Sequence, residues 1–233
     1  MFSPRALVAL AVLLAPPAAR AQAVPARSLR PSIAFIGIDG IAAIPQGQFA
    51  DYVGTGWGAG ANLVIKLGSS PLALRVDGGW VRYGNETKRV CISTCRITAD
   101  VHTHNDIYLF GIGPQLMAPG GSIRPYVTGT VGLSYFVTGS SIEGTNDDAE
   151  FASTKNFDDV TFAWAGGGGF YVPVRAGPRP IAIDLGVRYH GSGDASYLRK
   201  GSIIDHPDGS ISFTPIRSST HLLVAQVGVS IGL

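Results

Sequence analysis

No stretch of this 233-residue sequence stays apolar without interruption over the roughly 20 residues that a helix needs to cross a bilayer, so helical membrane spans are not expected. Charge is scarce as well. Charged residues make up 15 % of the chain and helix formers are sparse, which leaves a polypeptide poor in helix and rich in strand. A basic surplus is missing: 18 Lys+Arg face 16 Asp+Glu, and loss of a leader carrying Arg5 and Arg20 leaves 16 against 16. A neutral chain lacks the cations that a nucleic-acid binder sets against phosphates, and no nucleic-acid partner is expected. No Pro/Ser-rich linker divides the chain, and its 31 glycines follow no collagen-like period, so one domain is the expectation.

At the N-terminus, Arg5 precedes the apolar run Ala6 to Ala15 and small residues that end in Ala19-Arg20-Ala21 and Ala21-Gln22-Ala23. Either triplet fits signal-peptidase cleavage, so residues 1–23 are expected to be an export signal and 24–233 the mature domain.

Eight segments then read as strands: Ser32 to Ala43, Gly56 to Leu67, Leu72 to Tyr83, Asp106 to Ala118, Arg124 to Thr138, Val160 to Val174, Pro180 to His190 and Ser219 to Leu233. Five alternate with period two, the signature of a sheet whose successive side chains point to opposite faces. In the second segment Trp57, Ala59, Ala61, Leu63 and Ile65 oppose Gly58, Gly60, Asn62, Val64 and Lys66. The seventh sets Ile181, Ile183, Leu185, Val187 and Tyr189 against Ala182, Asp184, Gly186, Arg188 and His190. Tight connections (68–71, 119–123, 175–179) alternate with long ones (44–55, 84–105, 139–159, 191–218). That rhythm belongs to an up-and-down barrel threaded through a membrane, with short turns on the periplasmic side and long loops outside.

A soluble ligand-carrying barrel would turn its polar face to water, but the polar face here is mostly glycine with a few charges. Too small to coat an exterior, it suits a narrow lumen. With the first strand running outward, Trp57, Trp80, Tyr108, Tyr135, Trp164 and Tyr189 fall near the loop ends of their strands on the apolar face, as an outer aromatic girdle, with Phe170 near the opposite rim.

The exported start, the four hairpins, Leu74-Arg75-Val76-Asp77-Gly78-Gly79-Trp80, Ile183-Asp184-Leu185-Gly186-Val187-Arg188-Tyr189 and the alternating C-terminal strand together resemble the small outer-membrane β-barrel family, that of the outer-membrane protein A and X barrels. The resemblance covers the whole mature chain and implies an eight-stranded antiparallel transmembrane barrel, located in the bacterial outer membrane. It implies outer-membrane lipid and lipopolysaccharide as neighbours, an extracellular ligand met through the loops, and a monomer. Such barrels usually end in an aromatic residue, whereas the last residue here is Leu233, and no wall-binding domain is expected after the last strand.

Arg75 and Asp77, with Asp184 and Arg188 on a strand roughly opposite, are expected to fill the interior as paired charges, since barrels of this size are plugged by side chains. Cys91 and Cys95 in an exported loop suggest a local disulfide. A metal site that adds His102 and His104 is the weaker alternative, and no metal or other cofactor is expected. His190-Gly191-Ser192 is similar to the His-x-Ser element of lipid A deacylases, but Gly193 replaces the Asn expected next, and the nearest downstream acids are Asp194 and Asp205. Because such chemistry needs an acid to orient the base, no catalytic residue is assigned. Gly111-x-Gly113 and Gly166 to Gly169 do not join a strand to a helix and read as strand glycines, not phosphate loops. A non-enzymatic barrel with recognition or structural loops is the expected function, with a lipid A-modifying enzyme or a small diffusion pore as alternatives.

Overall fold

A computed structural model describes residues 33–92, 97–144, 147–199, 201–205 and 211–233. Its strands in chain order are β1 (Ala34–Gln46), β2 (Gly56–Lys66), β3 (Leu72–Ile92), β4 (Ile97–Met117), β5 (Arg124–Gly144), β6 (Asp147–Arg175), β7 (Ile181–Ser192), β8 (Asp194–Tyr197), β9 (Ile203–Asp205), β10 (Ile211–Phe213), β11 (Ile216–Ser219) and β12 (His221–Gly232). Strands β1 to β7 and β12 form a closed antiparallel barrel in which chain neighbours pair, and β12 seals the ring against β1 from Phe35 opposite Gly232 to Gln46 opposite His221. This is the eight-stranded up-and-down closure expected from the sequence. The leader expected over residues 1–23 lies outside the described residues.

Period two decides which way each side chain points. Along β7 the residues Ala182, Asp184, Gly186, Arg188 and His190 are buried, while Leu185 and Val187 keep 42 % and 50 % of their surface open. The open set continues around the ring through Ile38, Trp57, Phe110, Val131, Phe162 and Val229. A continuous belt of exposed large apolar side chains on a closed sheet is a lipid-facing surface, because a soluble monomer exposes no apolar patch of that extent.

Three connections differ from the sequence expectation. Residues 84–92 and 97–105 continue the β3–β4 hairpin instead of forming a loop, in register to Ile92 opposite Ile97. Likewise, β5 and β6 pair to Gly144 opposite Asp147. Polar cross-strand contacts hold these extensions: Arg89 bonds Asp100 through Nε and Nη2 at 2.9 and 3.1 Å, Thr87 meets His102 at 2.9 Å and Thr103 meets Ser140 at 2.8 Å. The side chains on both faces there are mostly polar, so the pairing carries no apolar alternation and escapes a hydrophobic pattern. The third difference is the stretch after β7, where β8 pairs with β11 and β9 with β10.

Inside, the barrel is filled in three storeys. The floor holds Phe35, Val64 and Ala73 beside Met117, Tyr126, Tyr171 and Ala182. A polar layer lies above it. The top storey is apolar, built from Ile41, Val81, Ile107, Phe136, Leu222 and Val224 together with Phe49 and Tyr197 from the outer connections.

Candidate functional site

The polar storey is assembled by strands that each deliver one or two hydrophilic side chains inward. Arg75 of β3 is fully buried; its Nε donates to Asp77 Oδ1 at 2.9 Å and its Nη1 to Gln115 Oε1 at 3.1 Å. Across the lumen, Arg188 of β7 donates through Nη1 to the same Asp77 oxygen. Asp77 is thus clamped by two guanidiniums. Asp184, expected beside Arg188, instead accepts from the Tyr126 hydroxyl at 2.8 Å and from Gln226 Nε2 at 3.2 Å. Asn62 donates to Asp39 at 2.7 Å, and Gln115 reaches the Tyr171 hydroxyl at 3.4 Å. The pairing of buried ions with one another and with amides offsets their desolvation.

The structure places all four residues of the expected charge cluster in this layer and adds Asp39, Asn62, Gln115 and Gln226, with the Tyr126 and Tyr171 hydroxyls reaching up from the floor, none of which sequence reasoning assigned to it. Gln226 and Asn62 had a signal in the polar sides of their alternating strands. Asp39 sits in a strand where Ile38 faces out and Ile41 faces in, so its orientation was hidden. Glycine makes room: a Cβ on Gly111 would lie 2.6 Å from Asp77 Oδ2, and one on Gly186 2.6 Å from the Tyr126 hydroxyl. The strand glycines therefore serve the packing of large polar groups.

Above this layer the outer mouth is shut. A 3-10 turn at Gly47–Asp51 drops Phe49 into the barrel, where it is fully buried with ring centroids 5.0 Å from Tyr197, 6.0 Å from Tyr83 and 6.1 Å from Phe136. The Tyr83 hydroxyl donates to the Leu198 carbonyl at 3.2 Å, and the Ser196 amide to Asp159 at 2.7 Å, which ties the lid to the wall. Cavities between Asp39, Arg75, Arg188 and His190, and between Phe35, Tyr171 and Ser230, measure about 10 Å3 each. That is the room of about one water.

No protein-family model matches the chain, and no curated protein matches it. Among solved structures it is similar to Neisserial surface protein A, at 12 % identity over 87 % of this chain and 98 % of that one with a TM-score of 0.47. It is also similar to Ail, the attachment invasion locus protein of Yersinia pestis, at 10 % identity over 86 % and 97 % with a TM-score of 0.47. A third is a major outer membrane protein from Thermus thermophilus, at 11 % identity over 84 % and 98 % with a TM-score of 0.41. Likenesses this remote carry no information on function; the barrel's own geometry does.

The six aromatics expected in a girdle all stand on the outward face. Trp80, Tyr108 and Tyr135 lie directly across from one another on β3, β4 and β5, and Trp164 stacks near Tyr189 at 5.8 Å. Trp57 is the most open of them at 68 %, and Phe170 is exposed toward the other end of β6. Cys95 lies outside the described residues and Cys91 is described only by its backbone pairing with Thr98. His102 is engaged by Thr87, and His104 lies 3.9 Å from Asp106; no group of three metal-binding side chains occurs among the described residues. His190 points into the lumen with 5 % of its surface exposed, and Ser192 meets Ser134 at 3.2 Å. The pair His190 and Ser192 faces away from lipid, and Asp194 is exposed outside the barrel.

Proposed function

We propose that the chain is a non-enzymatic barrel of the bacterial outer membrane that is exported by the segment 1–23, inserts as a monomer among lipid and lipopolysaccharide, and presents its outer sheet and connections as a surface for structure or recognition. One observation carries the reading: an apolar outward belt surrounds a lumen closed by an ion-pair layer and an aromatic lid. Lipid outside and a plug inside leave the tall β3–β6 sheet as the part of the molecule that faces the surroundings.

Two measurements test it. The folded protein is expected in the outer-membrane fraction and to migrate faster unboiled than boiled on a detergent gel; recovery as a detergent-free periplasmic protein would refute the membrane assignment. In planar bilayers the filled lumen is expected to give no steady large conductance, and a stable open level would refute the plug.

A further inference from the structure

Charge is spread unevenly from one end of the barrel to the other. The rim that carries the short turns holds Lys66 at the end of β2, Arg124 at the start of β5, Arg175 at the end of β6 and Arg179 in the turn before β7. None of the 16 Asp and Glu residues falls in the segments 66–72, 117–124 and 175–181 that build this rim. Three carboxylates, Asp39, Asp77 and Asp184, are lumenal, and the others among the described residues belong to the outer ends of strands and the connections between them. The formal near-neutrality of the chain therefore conceals an inner rim whose turns carry only basic charged side chains.

That rim also holds a groove. Between the turn after β2 and the turn after β4 lies a cavity of about 550 Å3 lined by Lys66, Arg124, Ser69, Ile33, Met117 and Pro119. Arg124 is buried to all but 5 %, and its Nε donates to the Ala118 carbonyl at 3.0 Å, which fixes the guanidinium at the groove wall. A guanidinium fork and an ammonium are the donors that phosphate oxygens prefer. Met117 and Arg124 face inward, so the groove opens at the mouth of the lumen, while acyl tails stay in the bilayer outside the ring.

We infer that the inner rim attracts anionic phospholipids of the leaflet it faces, with Lys66, Arg175 and Arg179 drawing their phosphate headgroups. This rests on the reading of the chain as a membrane-spanning barrel. Cations held at headgroup level draw anionic lipid from the bilayer, and each can enrich it by up to about fivefold at low salt. The attraction fades as the screening length falls to about 3 Å at 1 M salt.

The full mature chain, reconstituted in phosphatidylcholine vesicles, is tested with spin-labelled phosphatidylglycerol and spin-labelled phosphatidylcholine as probes. The motionally restricted fraction is expected to favour phosphatidylglycerol at least threefold at low salt, to approach parity in 1 M salt and to reach parity in the variant K66Q/R175Q/R179Q. These three residues lie on the rim outside the lumen network, and retained heat-modifiable migration verifies that the variant is folded. Equal association of the two lipids with the native chain would overturn the inference, as would a preference that survives in the variant. Competition by millimolar inorganic phosphate that abolishes the preference would assign the rim cations to a free ion and overturn the lipid assignment. Failure of the native chain to show heat-modifiable migration would instead strike at the barrel reading itself.

Discussion

Asp77 is the residue on which the lumen turns, because Arg75 and Arg188 both donate to one of its oxygens. Asp77→Asn would leave two guanidiniums facing a neutral amide. Removing one member of a buried ion pair strands the other charge at a cost of about 3–5 kcal/mol. Urea unfolding in lipid vesicles is expected to show that loss. Asp184→Asn gives up bonds from a neutral hydroxyl and a neutral amide and is expected to cost about 1–2 kcal/mol. Equal losses in the two variants would mean that the clamp on Asp77 has no special weight. Sequence reading found both carboxylates but not this difference, since alternation tells which face a side chain occupies and says nothing of its partners across a lumen. Arg188 chose Asp77, on a facing strand, over Asp184, four residues away on its own.

At the scale of elements, the barrel strands were legible wherever one face met lipid and the other the lumen, because only that contrast writes a period-two pattern. In the β3–β6 extensions polar side chains stand on both faces, so the pattern stops although the pairing does not. The top storey was hidden for the opposite reason: Val81, Ile107 and Phe136 stand on inward faces that were expected to be polar, because Phe49 and Tyr197 fold in above the ion layer and exclude water. The outer β3–β4 hairpin leans on the Arg89–Asp100 pair, and the guanidinium holds the Asp100 carboxyl below its ordinary range. The unfolded carboxyl titrates near about 3.9, so the pair's contribution is complete above that pH and is lost as the pH falls through the lower folded value. Hydrogen exchange at the hairpin is expected to be constant from neutral pH to about 4, after correction for intrinsic rates, and to quicken only below it. Quickening between about pH 7 and 5 would show that another group governs the hairpin. The lid makes a separate unit. Phe49→Ala empties a fully buried ring site, a change that costs about 3–5 kcal/mol in a packed core. It is expected to open the chain to trypsin at exposed Arg199 while the barrel keeps its heat-modifiable migration; unchanged resistance at Arg199 would show that Phe49 does not hold the lid.

For the molecule as a whole, the outward belt is the feature that separates a membrane barrel from a soluble one, and one residue can probe it. Val131 lies near the middle of β5, four residues inward from Tyr135, with 53 % of its surface open. In water, an arginine at so open a position changes stability within about 0.5 kcal/mol. In a bilayer midplane the same arginine costs about 2–4 kcal/mol, and the penalty shrinks toward either interface. Val131→Arg is therefore expected to lower unfolding stability in vesicles by that larger amount, and Val160→Arg, opposite Tyr135 at girdle level, by no more than about 1 kcal/mol. A gradient with depth follows from hydrocarbon on the outside of the ring and from nothing in the strand pairing itself. Two equally mild variants would place water against the belt, and the filled lumen, the lid and the basic rim would then need another explanation.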